Sequence, residues 1–241
     1  MLRNLLKSLY WIIIRYNKER LKRKDILKTY GKLSNEEIFS KIYKNKLWDL
    51  NSKIKFYSGP GSHENLIVIP YVNCIVNFLK KNKNLIVIDL GCGDFNIGSK
   101  IFKHSKNYIG IDVVEDLIIY NKQKYSAKNL TFETLDAVHN TLPAGDCILI
   151  KEVFQHLTNA EIKKILLKTI KFKYIMITES EPLIPFKPNK DKLKGPECRT
   201  DMVSGIIIDK SPFNFKFKFK KELLRVKKED RYIVTTFYQT Y

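Results

Sequence analysis

Arginine is scarce in this chain. Of its 44 basic residues only seven are arginine, so the formal charge of +19 over 241 residues is carried mainly by lysine. Arginine is the side chain that forks onto phosphates and stacks on bases, and its scarcity argues against a dedicated nucleic-acid reader despite the charge. A coding bias towards Lys, Asn and Ile accounts for much of the excess. Cysteine is equally sparse: Cys74, Cys92, Cys147 and Cys198 stand alone, with no CxxC or Cys/His spacing. That excludes a zinc framework or a disulfide scaffold, and four isolated thiols suit a reducing cytoplasm. No apolar run reaches the 18 residues of a membrane span. The apolar stretch Leu9–Ile14 is cut by Arg15 and followed by no small-residue cleavage site, unlike a signal peptide. What is present is a hydrophobic content of 44% with 12% aromatics, ample for one cored domain with an appendage and incompatible with a disordered chain.

The first 55 residues read as a basic helical extension. Leu2, Leu5, Leu6, Leu9, Ile12, Ile13 and Tyr16 form an apolar stripe, and residues 1–30 hold nine cations against Glu19 and Asp25. Such a helix either lies on an anionic membrane face or docks its stripe on the main domain. Ser34-Asn35-Glu36-Glu37 starts a further helix leading to Ile38, Ile42, Tyr43 and Trp48. The loop Ser58-Gly59-Pro60-Gly61-Ser62 then breaks the pattern before a helix carrying Leu66 to Leu79.

Beyond it, strands and helices alternate. Residues 85–90, 108–112, 130–136, 147–150 and 174–178 read as buried strands, and Asn159–Lys171 is the clearest intervening helix. That rhythm predicts an α/β, doubly wound, mainly parallel sheet. Phe213 to Lys220 alternates Phe with Lys or Asn, and residues 231–238 are β-branched and aromatic. Both suit strands of an antiparallel edge hairpin, giving seven in all.

In such a sheet ligands sit beyond the carboxyl ends of the strands. Three predicted strands end in a carboxylate, Asp89, Asp112 and Asp136, each one strand-helix-strand step from the last. The first is followed by Gly91-Cys92-Gly93-Asp94, a glycine turn that is neither GxGxxG nor a Walker loop. The run Val87-Ile88-Asp89-Leu90-Gly91-Cys92-Gly93-Asp94 resembles motif I of the class I S-adenosylmethionine-dependent methyltransferases, and the likeness extends over about residues 55–180. It implies a Rossmann-like domain spanning 56–241, S-adenosylmethionine as cofactor and no metal. It assigns the ribose hydroxyls to Asp112 and the adenine amino group to Asp136, with Asp89, Gly91, Cys92, Gly93, Val113 and Ala137 completing the cofactor site. Lys151-Glu152-Val153-Phe154-Gln155-His156-Leu157 resembles the segment that borders donor and acceptor. Tyr57-Ser58-Gly59-Pro60-Gly61-Ser62, the Gly-Cys-Gly-Asp-Phe-Asn turn and Ser211-Pro212-Phe213-Asn214 are further similar to small methyltransferases of bacterial capsule and lipopolysaccharide clusters, which methylate sugar hydroxyls or a phosphoramidate group. Residues 188–199 depart from that pattern.

Methyl transfer is an in-line displacement, and a hydroxyl acceptor also needs a proton sink. His156 is the first choice for that base, or else packs and caps the next helix; Glu152 holds the cofactor or orients His156, and Lys151 faces an anionic acceptor. Ser58, Gly59 and Gly61 either cover the methionine end of the cofactor or form a plain interhelical turn. His63 is a second candidate at the acceptor, and the Pro- and Lys-rich stretch 182–212 a lid over it, with Arg199 meeting an anionic group. The reading is a cytoplasmic O-methyltransferase of a small, anionic or sugar-linked acceptor in surface-polysaccharide synthesis, held near the inner membrane face if residues 1–30 touch lipid. An RNA methyltransferase and a non-catalytic, membrane-recruited module are the alternatives; no RNP-type aromatic motif or Asn-Pro-Pro-Tyr motif supports the former.

Overall fold

Uninterrupted apolar runs require cover on both faces, and the strands receive it. The computed structural model describes residues 30–241. Strand β1 (Ile86–Leu90) sends Val87 to one core and Ile88 and Leu90 to the other; β4 (Cys147–Lys151) and β5 (Tyr174–Pro182) alternate in the same way. β2 (Asn107–Asp112), β3 (Leu130–Thr134), β6 (Phe219–Lys228) and β7 (Arg231–Gln239) complete a seven-stranded sheet of order β3-β2-β1-β4-β5-β7-β6. All neighbours from β3 to β5 run parallel, and β7 pairs antiparallel with β5 and β6. The chain winds outwards from β1 in one direction and from β4 in the other, so the carboxyl ends of β1 and β4 flank the switch point.

Two compact units divide the chain, Met1–Ser34 and Asn35–Tyr241. The amphipathic stripe and the proposed membrane contact lie outside the described residues. The second unit starts well before residue 55, where the sequence reading ends the extension. The reason is burial: helix α1 (Asn35–Lys44) hides Ile38, Ile42 and Tyr43, and Tyr43 joins Phe56, Val114 and Leu117 in a small third core. Helix α2 (Asn65–Lys81) covers one sheet face with Val68, Tyr71, Ile75 and Leu79. Short α3 (Gly98–Ile101) and α4 (Glu115–Lys124) follow β1 and β2. On the opposite face lies α5 (Asn159–Thr169), started by a reciprocal capping box between Thr158 and Glu161 and burying Ile162, Ile165 and Leu166. No helix among the described residues is long and apolar enough to cross a membrane.

One predicted strand is corrected. Residues 213–218 are not in the sheet, and β6 begins only at Phe219. Phe213 and Phe215 enter the core beside α5 from irregular backbone, with Phe215 N–H bonded to Ile208 O at 2.9 Å. The Phe–Lys alternation thus records side chains taken alternately by core and solvent, a pattern that a tethered coil satisfies as well as a strand.

Candidate active site

The three strand-tip acids divide into two kinds. Asp89 and Asp112 are buried, and burial pushes both carboxyls up to about 6. Asp89 accepts the Tyr108 hydroxyl at 2.8 Å. Asp112 accepts Gly93 N–H at 3.2 Å and Val114 N–H at 3.1 Å, so its carboxylate is tied directly to the glycine turn. Asp136 lies two residues beyond β3 and is half-buried. Burial alone would raise its pKa, yet hydrogen bonds from His139, Val138 and Asn35 hold it below the usual value. The glycines are required by geometry: Gly91 and Gly93 have φ of 72° and 55°, and a Cβ there would run into Val153 and Ser58 respectively.

The Ser58–Ser62 loop closes over this turn. Ser58 Oγ accepts Asp94 N–H at 2.8 Å and shares a hydrogen with Tyr43 Oη at 3.1 Å, while Asn96 Nδ2 donates to Ser62 O at 2.6 Å. From the other side Lys151 Nζ donates to Gly61 O at 2.8 Å and pairs with Glu152 at 2.5 Å. Glu152 sits in the left-handed region, φ 54°, with its carboxylate pressed against Gly61 where any Cβ would collide. Strain at a non-glycine residue beside a cavity is held in place by its surroundings, here by Glu152 N–H donating to Thr178 O at 2.7 Å.

His156 ends the turn after β4. Its Nδ1 donates to Gly195 O at 3.1 Å, and Gly195 N–H returns a bond to His156 O at 3.1 Å. This fixes the neutral tautomer with Nε2 as acceptor. Burial, reinforced by the nearby Lys192 cation, holds the imidazole down to about 4. Phe39 and Trp48 flank the ring, with centroids at 6.3 and 5.5 Å. Glu179, to which the sequence assigns no role, accepts Phe154 N–H at 2.8 Å and Gln155 N–H at 3.2 Å. Burial, with Glu152 close by, raises Glu179 to about 8.

A single cavity of about 330 Å³ connects most of these groups. Ser58, Gly59, Gly61, Gly91, Gly93, Asp112, Val113, Asp136, Ala137, Lys151, Glu152 and His156 all line it. Asp89 and Cys92 line a chamber of about 20 Å³ beside it, room for one water, together with Tyr108 and Lys151. Two predicted site residues line neither. His63 points at Asp94, with Nε2 to Oδ2 2.6 Å, and stacks on Tyr57, which makes it a clamp on the glycine turn. Arg199 is corrected more sharply. It is 1% exposed, and its guanidinium donates to Lys190 O and to Leu157 O, the latter at 2.7 Å. It staples the 182–212 segment to the turn bearing His156 and cannot meet an acceptor. That segment does reach the cavity, through Cys198. Sequence reasoning missed Asn35, Phe39, Tyr43 and Trp48 of the α1 region, and Ser180, Lys228 and Arg231 of β5 and the β6–β7 hairpin. The hairpin's antiparallel return was the available signal, because it carries residues from the chain end back to the strand ends.

No curated protein sequence matches the chain. Among solved structures, N-methyltransferase NodS from Bradyrhizobium japonicum WM9 in complex with S-adenosyl-L-homocysteine is similar, with TM-score 0.60 and 11% identity, over 85% of this chain and 100% of that one. Magnesium protoporphyrin IX methyltransferase ChlM from Synechocystis PCC 6803, with S-adenosyl-L-homocysteine bound, gives TM-score 0.54 and 12% identity over 85% and 97%. Human N-acetylserotonin methyltransferase in complex with S-adenosylmethionine gives 0.51 and 14% over 88% and 61%. These likenesses are of fold. A family profile described as "Methyltransferase domain" matches residues 81–236, which include β1 to β5, the glycine turn and most of the hairpin. With the strand-tip acids and glycine turn placed at the switch point of that fold, the chain belongs to the methyltransferase domain family.

Proposed function

We propose that the chain transfers a methyl group from S-adenosylmethionine to an oxygen of a small acceptor, a sugar hydroxyl or a phosphoramidate-type oxygen used in bacterial surface-polysaccharide synthesis. The observation that carries this reading is the continuity of one cavity from Asp112 and Asp136 to His156. The lining suits the cofactor. The buried Asp112 carboxylate offers acceptors matched to a ribose diol, while Val113, Leu135, Ala137 and Val138 provide an apolar slot for a purine. Gly91 and Gly93 bring bare backbone to the cavity, where a Cβ would strike Val153 and Ser58. Asp89 supplies a carboxylate suited to an ammonium group. When bound, the cofactor supplies a sulfonium-activated methyl group.

The chain's own residues then position and deprotonate. His156 accepts the acceptor's hydroxyl proton at Nε2, displacing the Gln155 amide that donates there at 3.4 Å, since Nδ1 is committed to Gly195 O. An acceptor oxygen that is already anionic dispenses with that step, and Lys151 then offsets its charge. Phe39, Trp48 and the Ser58–Ser62 loop wall the cavity, so an acceptor seated among them displaces water from it.

Calorimetry with S-adenosylhomocysteine tests the cofactor. Wild-type protein should bind it, and Asp112→Asn should weaken binding about 100-fold; equal affinities would overturn the assignment. Methyl-tritiated S-adenosylmethionine, given to cell extract containing the enzyme, tests the acceptor. Label in nucleotide sugars or polysaccharide supports the reading, and label confined to RNA overturns it.

A further inference from the structure

We propose that Arg231, with Ser180 and Lys228 beside it, forms a subsite for an oxyanion group of the acceptor, a phosphoryl or carboxylate, at the end of the cavity beyond His156. The inference rests on the methyl-transfer reading and adds how the acceptor is held.

Three arginines fall among the described residues, and two are spent. Arg199 is buried on backbone carbonyls, and Arg225 is consumed by Glu222 and Glu181, which take its Nε, Nη1 and Nη2. Arg231 differs. Only its Nε is engaged, donating to Asp230 at 3.0 Å, a carboxylate 71% exposed and therefore largely hydrated. Both terminal nitrogens carry no protein partner among the described residues, although the side chain is just 25% exposed and lines the cavity.

Strand register explains why it points there. Antiparallel neighbours directly opposite one another share a sheet face. Ser180 stands opposite Ile233, Arg231 opposite Lys228, and Arg231 and Ile233 are two residues apart on β7, so all four side chains lie on one face. Ser180, Lys228, Arg231 and Ile233 all line the cavity. The Ser180 hydroxyl has no protein partner among the described residues, and a hydroxyl can donate to the same oxyanion. Lys228 is 12% exposed and bonded at 2.6 Å to Glu64, which holds the ammonium at the cavity wall.

The carboxylates nearby are Glu64, Glu229, Asp230, Asp201 and, acting on Lys228, Glu152. They outnumber the two cations, so an oxyanion is held by the directed donors of the open guanidinium fork and not by net charge. A planar fork binds two oxygens of one group in parallel, which a lysine does not.

The test is a titration with inorganic phosphate, followed by ³¹P NMR, on the full chain with and without saturating S-adenosylhomocysteine. Saturable millimolar binding is expected, weakened at least tenfold in Arg231→Met and severalfold in Arg231→Lys and Ser180→Ala. Lys220→Ala, on the distant edge, should leave it unchanged. Absence of saturable binding, or equal affinity in wild type and Arg231→Met, overturns the proposal; should Arg231→Met fail to fold, equal affinity in Arg231→Lys and Ser180→Ala does so. If S-adenosylhomocysteine fails to bind wild type, the methyl-transfer reading falls separately, and the titration without it still reports on Arg231.

Discussion

The two ends of the cavity are built by different means. At one end the acids and the glycine turn are strand tips or what directly follows them: the Gly91–Gly93 turn, Asp112 and, two residues past β3, Asp136, with Asp89 in the small chamber beside them. A parallel sheet sets their spacing, since register steps each acid two residues beyond the last: Asp89 stands opposite Gly110 and Asp112 opposite Thr134. At the other end nothing is adjacent in sequence. Trp48 follows α1, His156 ends the turn after β4, Cys198 comes from the segment after β5, and Arg231 from the hairpin that returns the chain to the sheet. The first end is a property of the fold and can be transmitted with it. The second is an assembly of excursions, and it is where acceptor choice can change without disturbing the sheet.

Removing the imidazole should do most damage, and to one end only. His156→Ala is expected to lower kcat for a hydroxyl acceptor by about 10²- to 10⁴-fold, with S-adenosylhomocysteine affinity within twofold of wild type. Because burial holds His156 down to about 4, the wild-type rate should keep its base form well below pH 6. Steady-state rates as a function of pH, with calorimetry alongside, check both points. Normal turnover in the variant would assign His156 to packing between Phe39 and Trp48.

Asp112→Ala should be next, and at the opposite end. Loss of a carboxylate that serves the ligand and also accepts Gly93 and Val114 amides is expected to weaken S-adenosylhomocysteine about 100-fold, near 3 kcal/mol. It should also lower Tm, because two buried amides lose their acceptor.

This contrast also explains what could be read from sequence. The sheet was legible because continuous apolar runs admit few other homes, and the strand-tip acids because strand-helix-strand spacing repeats. Asp112 and Gly91 are where that logic places them. The acceptor end was legible only in fragments. Arg199 has the composition of an anion-binding residue in a lid, yet its surroundings turn it inwards to two carbonyls, and no local pattern distinguishes that from exposure. Arg231 reaches the cavity through pairings between residues about fifty apart, which periodicity cannot encode. Glu179 drew no role from sequence because it falls just past the strand expected over 174–178, whereas β5 runs on to Pro182 and its carboxylate caps the turn that carries His156. The Phe213–Lys218 alternation misled for a related reason, since burial of every second residue marks proximity to a core and does not by itself mark a strand.

Arg199→Met sharpens the comparison between the two arginines. It strips donors from Leu157 O and Lys190 O in a buried site and should cost about 2–4 kcal/mol of stability, read as a lower midpoint in urea. Phosphate binding at Arg231 should persist in the folded fraction. A variant of unchanged stability would mean that the 182–212 segment is held by its other bonds, those of Asn189 to Ile207 and Ser211 above all.

The smallest expected effect separates the strand-tip acids from one another by pH. Asp89 and Asp112 have folded pKa values of about 6, above the ordinary 3.8, so the folded protein holds their protons more tightly than the unfolded chain does. Their contribution to stability is therefore full below about pH 4 and lost as pH rises towards 6, on the order of 3 kcal/mol for each as an upper bound. Asp136 and Glu152, held below their usual values, do the reverse and lose stabilisation on acidification. Ligand affinity follows the charged form: between pH 6 and 5, S-adenosylhomocysteine binding should weaken by up to about tenfold for each buried acid that must first release its proton. Thermal melts of the ligand-free protein and calorimetry over the same range then carry opposite signs for these groups. In Asp112→Asn the part of the pH dependence due to Asp112 should vanish from both. If binding in the wild type is flat from pH 7 to 5, neither Asp89 nor Asp112 serves the ligand as a carboxylate, and the division of the cavity into a fold-given end and an assembled end loses its first half.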